Sequence, residues 1–215
     1  MPRPRGFDID VALERALETF WRHGFAATSL PALLDAMEIG RSSFYETFGG
    51  KRELFEAVLD QYEARVTAQV LTAVERPGPI RGVLRDLAQD LVERALSDGG
   101  KGCLVGNTSV ELGPHDLELR AWVARSMTRV ETALETRLSV AQQDGDLDAG
   151  ADTRQIARTM VATFHGLRIV AKARPDRAIL EDIAGGVVAL LDAPATRAPE
   201  AMRVDDEVPT GATLA

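Results

Sequence analysis

Between residues 28 and 55 the chain carries a group of side chains suited to gripping a nucleic-acid duplex: Thr28 and Ser29, then Arg41, Ser42 and Ser43, then Tyr45, Thr47 and Lys51. A guanidinium can read base edges in a major groove, and two small serines beside it let the backbone come close. Tyr45 and Thr47 carry hydroxyls for phosphate oxygens. Lys51 adds a cation, and a helix beginning there would add backbone N–H groups for the same purpose. Arg3 and Arg5 form a basic arm ahead of the group. Placement must carry this chemistry, because the net charge is −8 and residues 1–65 hold 8 Lys and Arg against 11 Asp and Glu. That balance excludes a generally basic coat and leaves room for a local basic face.

These side chains need short, firmly angled helices behind them. Apolar residues recur at three- and four-residue spacing along the whole chain, punctuated by Gly and Pro, with no convincing period-two strand, so the fold class is all-α. A first helix is predicted at about 8–23, with Ile9, Leu13, Ala16, Leu17 and Phe20 on one face, Asp8 or Asp10 as its cap and Gly24 as its stop. Thr28 or Ser29 caps a second helix with Pro31 in its first turn, running through Leu33, Leu34 and Met37. Glu38-Ile39-Gly40 makes a tight turn, a helix follows at about 41–48, and Gly49-Gly50 separates it from a longer one opened by Lys51. Two short helices joined by a glycine-containing turn match a helix-turn-helix, whose second helix enters the major groove. Periodicity alone fits an amphipathic hairpin in a core equally well.

Pro77-Gly78-Pro79 cannot continue a helix and is taken as a boundary. The expected division is a helix-turn-helix domain at 1–55, a connector helix at 51–76, an effector-binding and dimerisation domain at 77–192, and a disordered tail at 193–215 rich in Pro, Ala, Thr and acidic residues. The stretches at 153–173 and 177–191 are apolar over more than the stripe a surface helix needs, so something is expected to cover them, with Val187 and Leu190 at the covered face. The single cysteine, Cys103, excludes an intrachain disulfide and a Cys-based zinc site. No apolar run spans a bilayer and the start has no secretory h-region, which places the chain in the cytoplasm.

The segments ALETFWRHGFAATSL and IGRSSFYETFGGKRELF, within residues 8–55, resemble the DNA-binding domain of TetR/AcrR transcriptional regulators. The resemblance implies a homodimer in which the last two long helices of each subunit form a four-helix bundle. It also implies middle helices that enclose a small-molecule effector pocket, and a palindromic double-stranded operator from which the effector releases the repressor. Two recognition helices would then lie about 34 Å apart, one DNA turn. KGCLVGNTSVELG, at 101–113, is similar to a segment of a subgroup that senses electrophiles or small acids.

Candidates for the pocket are Cys103, Asn107, Trp122, Met127, Phe164, His165 and Arg168. His165 and Arg168 share a helix face and could hold an anionic group, or could serve a plain salt bridge. Lys101 and a nearby helix start favour the Cys103 thiolate, which opens a thiol-based electrophile or redox sensor as an alternative. A helical ligand-binding protein without DNA function is the other. Neither a G-x-S-x-G nor a complete P-loop is present, and His23, His115 and His165 are scattered, so no enzyme, cofactor or metal is expected.

Overall fold

A computed structural model describes residues 7–192 of the chain. Arg3, Arg5 and the tail at 193–215 lie outside the described residues. Ten α-helices follow one another: α1 (Ile9–His23), α2 (Leu30–Met37), α3 (Arg41–Phe48), α4 (Lys51–Tyr62), α5 (Ala68–Val74), α6 (Ile80–Ser97), α7 (Leu104–Glu111), α8 (Leu117–Gln143), α9 (Thr153–Ala173) and α10 (Arg177–Ala189). Among the described residues there is no strand, as the periodicity predicts. A π-helical turn, Glu63–Thr67, joins α4 to α5, so the expected connector helix is one run with a widened turn in it.

Local chemistry sets the helix ends. Asp8 accepts from the N–H groups of Asp10 and Val11 and so caps α1, and Gly24 stops it at φ +80°. Ser29 caps α2 by accepting from Ala32 N–H at 3.3 Å. In the turn that follows it is Glu38, at φ 56°, that takes the left-handed conformation. Gly40, the expected turn glycine, is extended and serves as the residue before α3.

The first four helices close around Phe20, Leu33, Phe44, Leu54 and Phe55, all buried. Phe20 and Phe25 each meet Phe55 at 5.0 Å between ring centroids. This core does not stop at Pro77-Gly78-Pro79, the expected boundary: Cys103, Leu104, Val105, Leu119 and Val123, from α7 and the start of α8, pack into it. A second core joins α5, α6, α8, α9 and α10 around Leu84, Leu134, Leu138 and Met160.

The outer faces of α9 and α10 carry small and apolar residues, with Ala162 and Ile169 exposed on one helix and Gly186 and Ala189 on the other. Gly166, Gly185 and Gly186 have open space where a Cβ would stand. Val187 is 1% exposed and belongs to the protomer's own core, which removes it from the covered face where the sequence put it. Leu190 is half-buried and packs against the same core.

Candidate DNA-reading surface and effector cavity

The turn between α2 and α3 is held from inside by Met37, Ile39 and Phe44, all buried, and from outside by an Arg15–Glu38 ion pair at 2.8 Å. With Phe44 turned inward, the opposite face of α3 presents Arg41, Ser42, Tyr45 and Glu46 to solvent. Tyr45 is 47% exposed, its ring held edge-on by Phe44. Gly40 supplies no side-chain cap, so the first N–H groups of α3 are left open at the end where Arg41 sits. Ser43 and Thr47 are half-buried on the flank of this face.

Ser42 Oγ donates to Glu46 Oε1 at 3.1 Å. Sequence reasoning passes over Glu46 because it is acidic; its position four residues after Ser42, on the same helix face, is the available signal.

Two expected contacts are placed differently. Thr28 is 2% exposed and its hydroxyl donates to Gly24 O at 2.6 Å, so it braces the α1–α2 turn and presents nothing to a duplex. Adjacent Thr and Ser offer the same capping chemistry, and of the two only Ser29 is exposed. Lys51 leans over the Phe25 ring at 4.4 Å from its centroid, which pins its stem while α4 begins beside it without a side-chain cap on Gly50.

Behind this surface a cavity lies between α4, the π turn, α5, α6, α8 and α9. Cys103, Met127, Phe164, His165 and Arg168 line it as expected, together with Tyr62, Thr67 and Ser126. Trp122 does not: its Nε1 donates to Asp60 Oδ1 at 3.2 Å in a separate crevice between α4 and α8. Asn107 is also outside the cavity, donating from Nδ2 to Lys101 O at 3.0 Å. Which face α7 turns inward depends on packing against α8 and α4, and nothing local in the sequence specifies it.

Arg168 is buried, and its Nη2 donates both to Asp98 Oδ2 and to Gly102 O, each at 2.7 Å. Trp21, on α1, donates to the same Gly102 carbonyl at 2.9 Å. The segment between α6 and α7 thus touches the cavity wall and α1 at once. Lys101 reinforces this by pairing with Glu18 of α1 at 2.7 Å, which holds the Glu18 carboxyl below its usual range. Glu111, at the end of α7, accepts from Phe25 N–H at 3.1 Å and Ala26 N–H at 2.7 Å.

Cys103 Sγ lies 3.9 Å from Tyr62 Oη. Burial pushes its thiol up, but His165 beside it, the Gly106 N–H and the Arg168 charge outweigh burial and bring it down to about 7. Tyr62 goes the other way: burial, and then the negative charge of a Cys103 thiolate, push its phenol up.

Residues 12–58 match the family model of bacterial regulatory proteins of the tetR family, and residues 82–186 match that of the tetracyclin repressor-like C-terminal domain. An uncharacterized HTH-type transcriptional regulator of Bacillus subtilis (strain 168), YezE, is 33% identical over 195 residues, spanning 89% of this chain and 100% of that protein. The chain belongs to the TetR family of bacterial regulators. Like its relatives it is a DNA-binding transcriptional regulator. The HTH-type transcriptional repressor ComR of Escherichia coli (strain K12) is similar at 29% identity over 87% of this chain and 90% of that one. Among solved structures, a cysteine mutant of the TetR-family regulator CifR, complexed with 26-bp double-strand operator DNA, superposes with a TM-score of 0.80. That similarity has 30% identity and covers 86% of this chain and 98% of CifR. The reduced form of E. coli NemR shares the fold at a TM-score of 0.76 and 22% identity, over 87% of this chain and 98% of that one.

Proposed function

We propose that the protein is a homodimeric, cytoplasmic repressor that holds an operator of two inverted half-sites and leaves it when a small molecule occupies the cavity. The observation that carries this reading is the exposed Arg41–Ser42–Tyr45–Glu46 face of α3, backed by Phe44 and open at its N-terminus. Arg41 and Glu46 read bases, the latter as an acceptor for cytosine N4. Ser29, Tyr45, Thr47 and Lys51 meet phosphates, with Ser43 allowing close approach. The outward faces of α9 and α10 pair with those of a second copy, and their glycines let the backbones draw near. Catalysis has no part in this reading.

A second reading, thiol-based sensing, is favoured by the placement of Cys103 against Tyr62, His165 and Arg168 in the cavity wall. An adduct on its sulfur would take up space in the cavity, and it can release DNA only through different affinities of the two conformations for the operator.

Selection of bound duplexes from a random library tests the first reading, repeated with small acids, aldehydes and oxidants. Enrichment of an inverted repeat, lost with one class of compound, is expected. Failure to enrich any duplex would leave a helical ligand-binding protein without DNA function. Loss of binding after thiol labelling in wild type but not in Cys103→Ser would establish the second reading.

A further inference from the structure

Cys103 and Arg168 stand in the wall between two spaces. One is the cavity. The other is a groove open to the surface between α1, α7 and α9, with Gly102 and Gly106 in its floor. Its charges are uneven. Arg22, Arg168 and Lys172 contribute three cations against the one carboxylate of Glu111, which accepts from the N–H groups of Phe25 and Ala26; Asp98, outside the groove, balances Arg168. Arg22 pairs with Glu18 outside the groove, and Lys172 is exposed and makes no ion pair among the described residues. Arg168 Nε is buried without a hydrogen-bond partner, although Nη2 of the same group has two. A buried, unpaired N–H on a cation favours an anionic acceptor.

Gly106 lies beside the cysteine. A Cβ there would lie 3.6 Å from Cys103 Cβ and 3.9 Å from His165 Nδ1, so a branched side chain at this position would crowd the approach to the sulfur. We propose that this groove is the port through which small carboxylate- or sulfonate-bearing ligands reach Cys103 and Arg168. The apolar cavity walls at Leu91, Val130 and Val161 offer an anion no comparable attraction.

Cys103 is the single cysteine of the chain, so its labelling is unambiguous. The probes are two methanethiosulfonates, one with a sulfonatoethyl group and one with a trimethylammonioethyl group. The thiolate attacks the sulfenyl sulfur, a disulfide forms and methanesulfinate leaves. Each rate is divided by the reagent's rate with 2-mercaptoethanol. The ratio of the two then cancels the thiolate fraction, which both reagents share. An anionic preference on the order of tenfold at low salt is expected, shrinking as salt rises. Lys172→Glu should erase the preference, and Gly106→Val should slow both reagents. Equal normalised rates, a cationic preference, or an anionic preference untouched by Lys172→Glu would overturn the port. Labelling blocked by Val130→Phe but not by Gly106→Val would place the entrance on the cavity side and overturn it too. Lys172→Glu alters an exposed side chain, so the charge comparison stands whether or not Gly106→Val folds. Every measurement is made without DNA, which keeps its outcome separate from operator release.

Discussion

Arg41 and Lys51 differ in what their surroundings let them do. Arg41 stands exposed at the start of α3, whereas Lys51 is tethered over Phe25 beside the start of α4. Arg41→Ala should cost about 1–3 kcal/mol and relax base preference at one position of each half-site, measured across an operator library. Lys51→Ala should weaken all sequences alike and reduce the salt slope by about 1. Uniform loss in both variants would make Arg41 a phosphate clamp. Cys103 allows a pH test. Its thiol ionises near pH 7 in the folded chain against 9.0 for an ordinary thiol, so the iodoacetamide rate should reach half its plateau near pH 7. His165→Ala should move that midpoint upward, since His165 is the largest influence favouring the thiolate against burial. A pKa lowered by folding stabilises the fold above the unfolded value and ceases to do so as pH falls through the folded one. The urea midpoint of wild type relative to Cys103→Ser should therefore decline between about pH 9 and pH 7. At this scale the sequence pointed to Arg41, Ser42 and Ser43 for bases and to Tyr45 and Thr47 for phosphates, of which Arg41, Ser42 and Tyr45 are the exposed ones. It concealed the inward turn of the Thr28 hydroxyl and did not single out Glu46, which accepts from Ser42.

Helix starts and stops were legible because they are local. Asp8, Ser29 and Asp116 cap with their own side chains, and Gly24 and Gly49 end helices at positive φ. What local chemistry could not reveal is how α7 and the segment before it are tied to α1 and the turn after it, which depends on groups far apart in the chain. Glu111 is 86 residues from Phe25, and Trp21 is 81 from Gly102. These bonds join the first helices to the cavity wall; Asn107 and Trp122, outside the cavity, are held by other partners, Lys101 O and Asp60. Removing the Glu111 carboxylate should free the α1–α2 turn. Glu111→Ala is expected to lower stability by about 1–2 kcal/mol in urea unfolding and to speed amide exchange at Phe25 and Ala26. Unchanged exchange at both amides would show that the turn holds itself.

For the whole molecule, the composition of α9 and α10 pointed to a covered surface and, wrongly, to Val187 as part of it. Val187 is interior and Leu190 is half-buried against the second core, so charging either attacks the protomer itself. Gly186 faces open space. Gly186→Glu should convert dimers to monomers on sizing chromatography and abolish operator binding, with no loss of helicity, because the change raises helix propensity by roughly 0.5 kcal/mol. A wild-type protein that elutes as a monomer at micromolar concentration would remove the basis of the inverted-repeat reading.

The π turn at Glu63–Thr67 places one residue more in its turn than an α-helix holds, just where Thr67 and Val66 reach the cavity. Such a turn is a stored insertion: the helix on either side keeps the phase it would have had without the additional residue. Deleting Ala64, which is exposed, should let the run from Lys51 to Val74 close into a continuous α-helix, leaving α3 and α6 in register while narrowing the cavity beside that run. A single-codon deletion thus separates the space inside the molecule from the aim of its α3 surface.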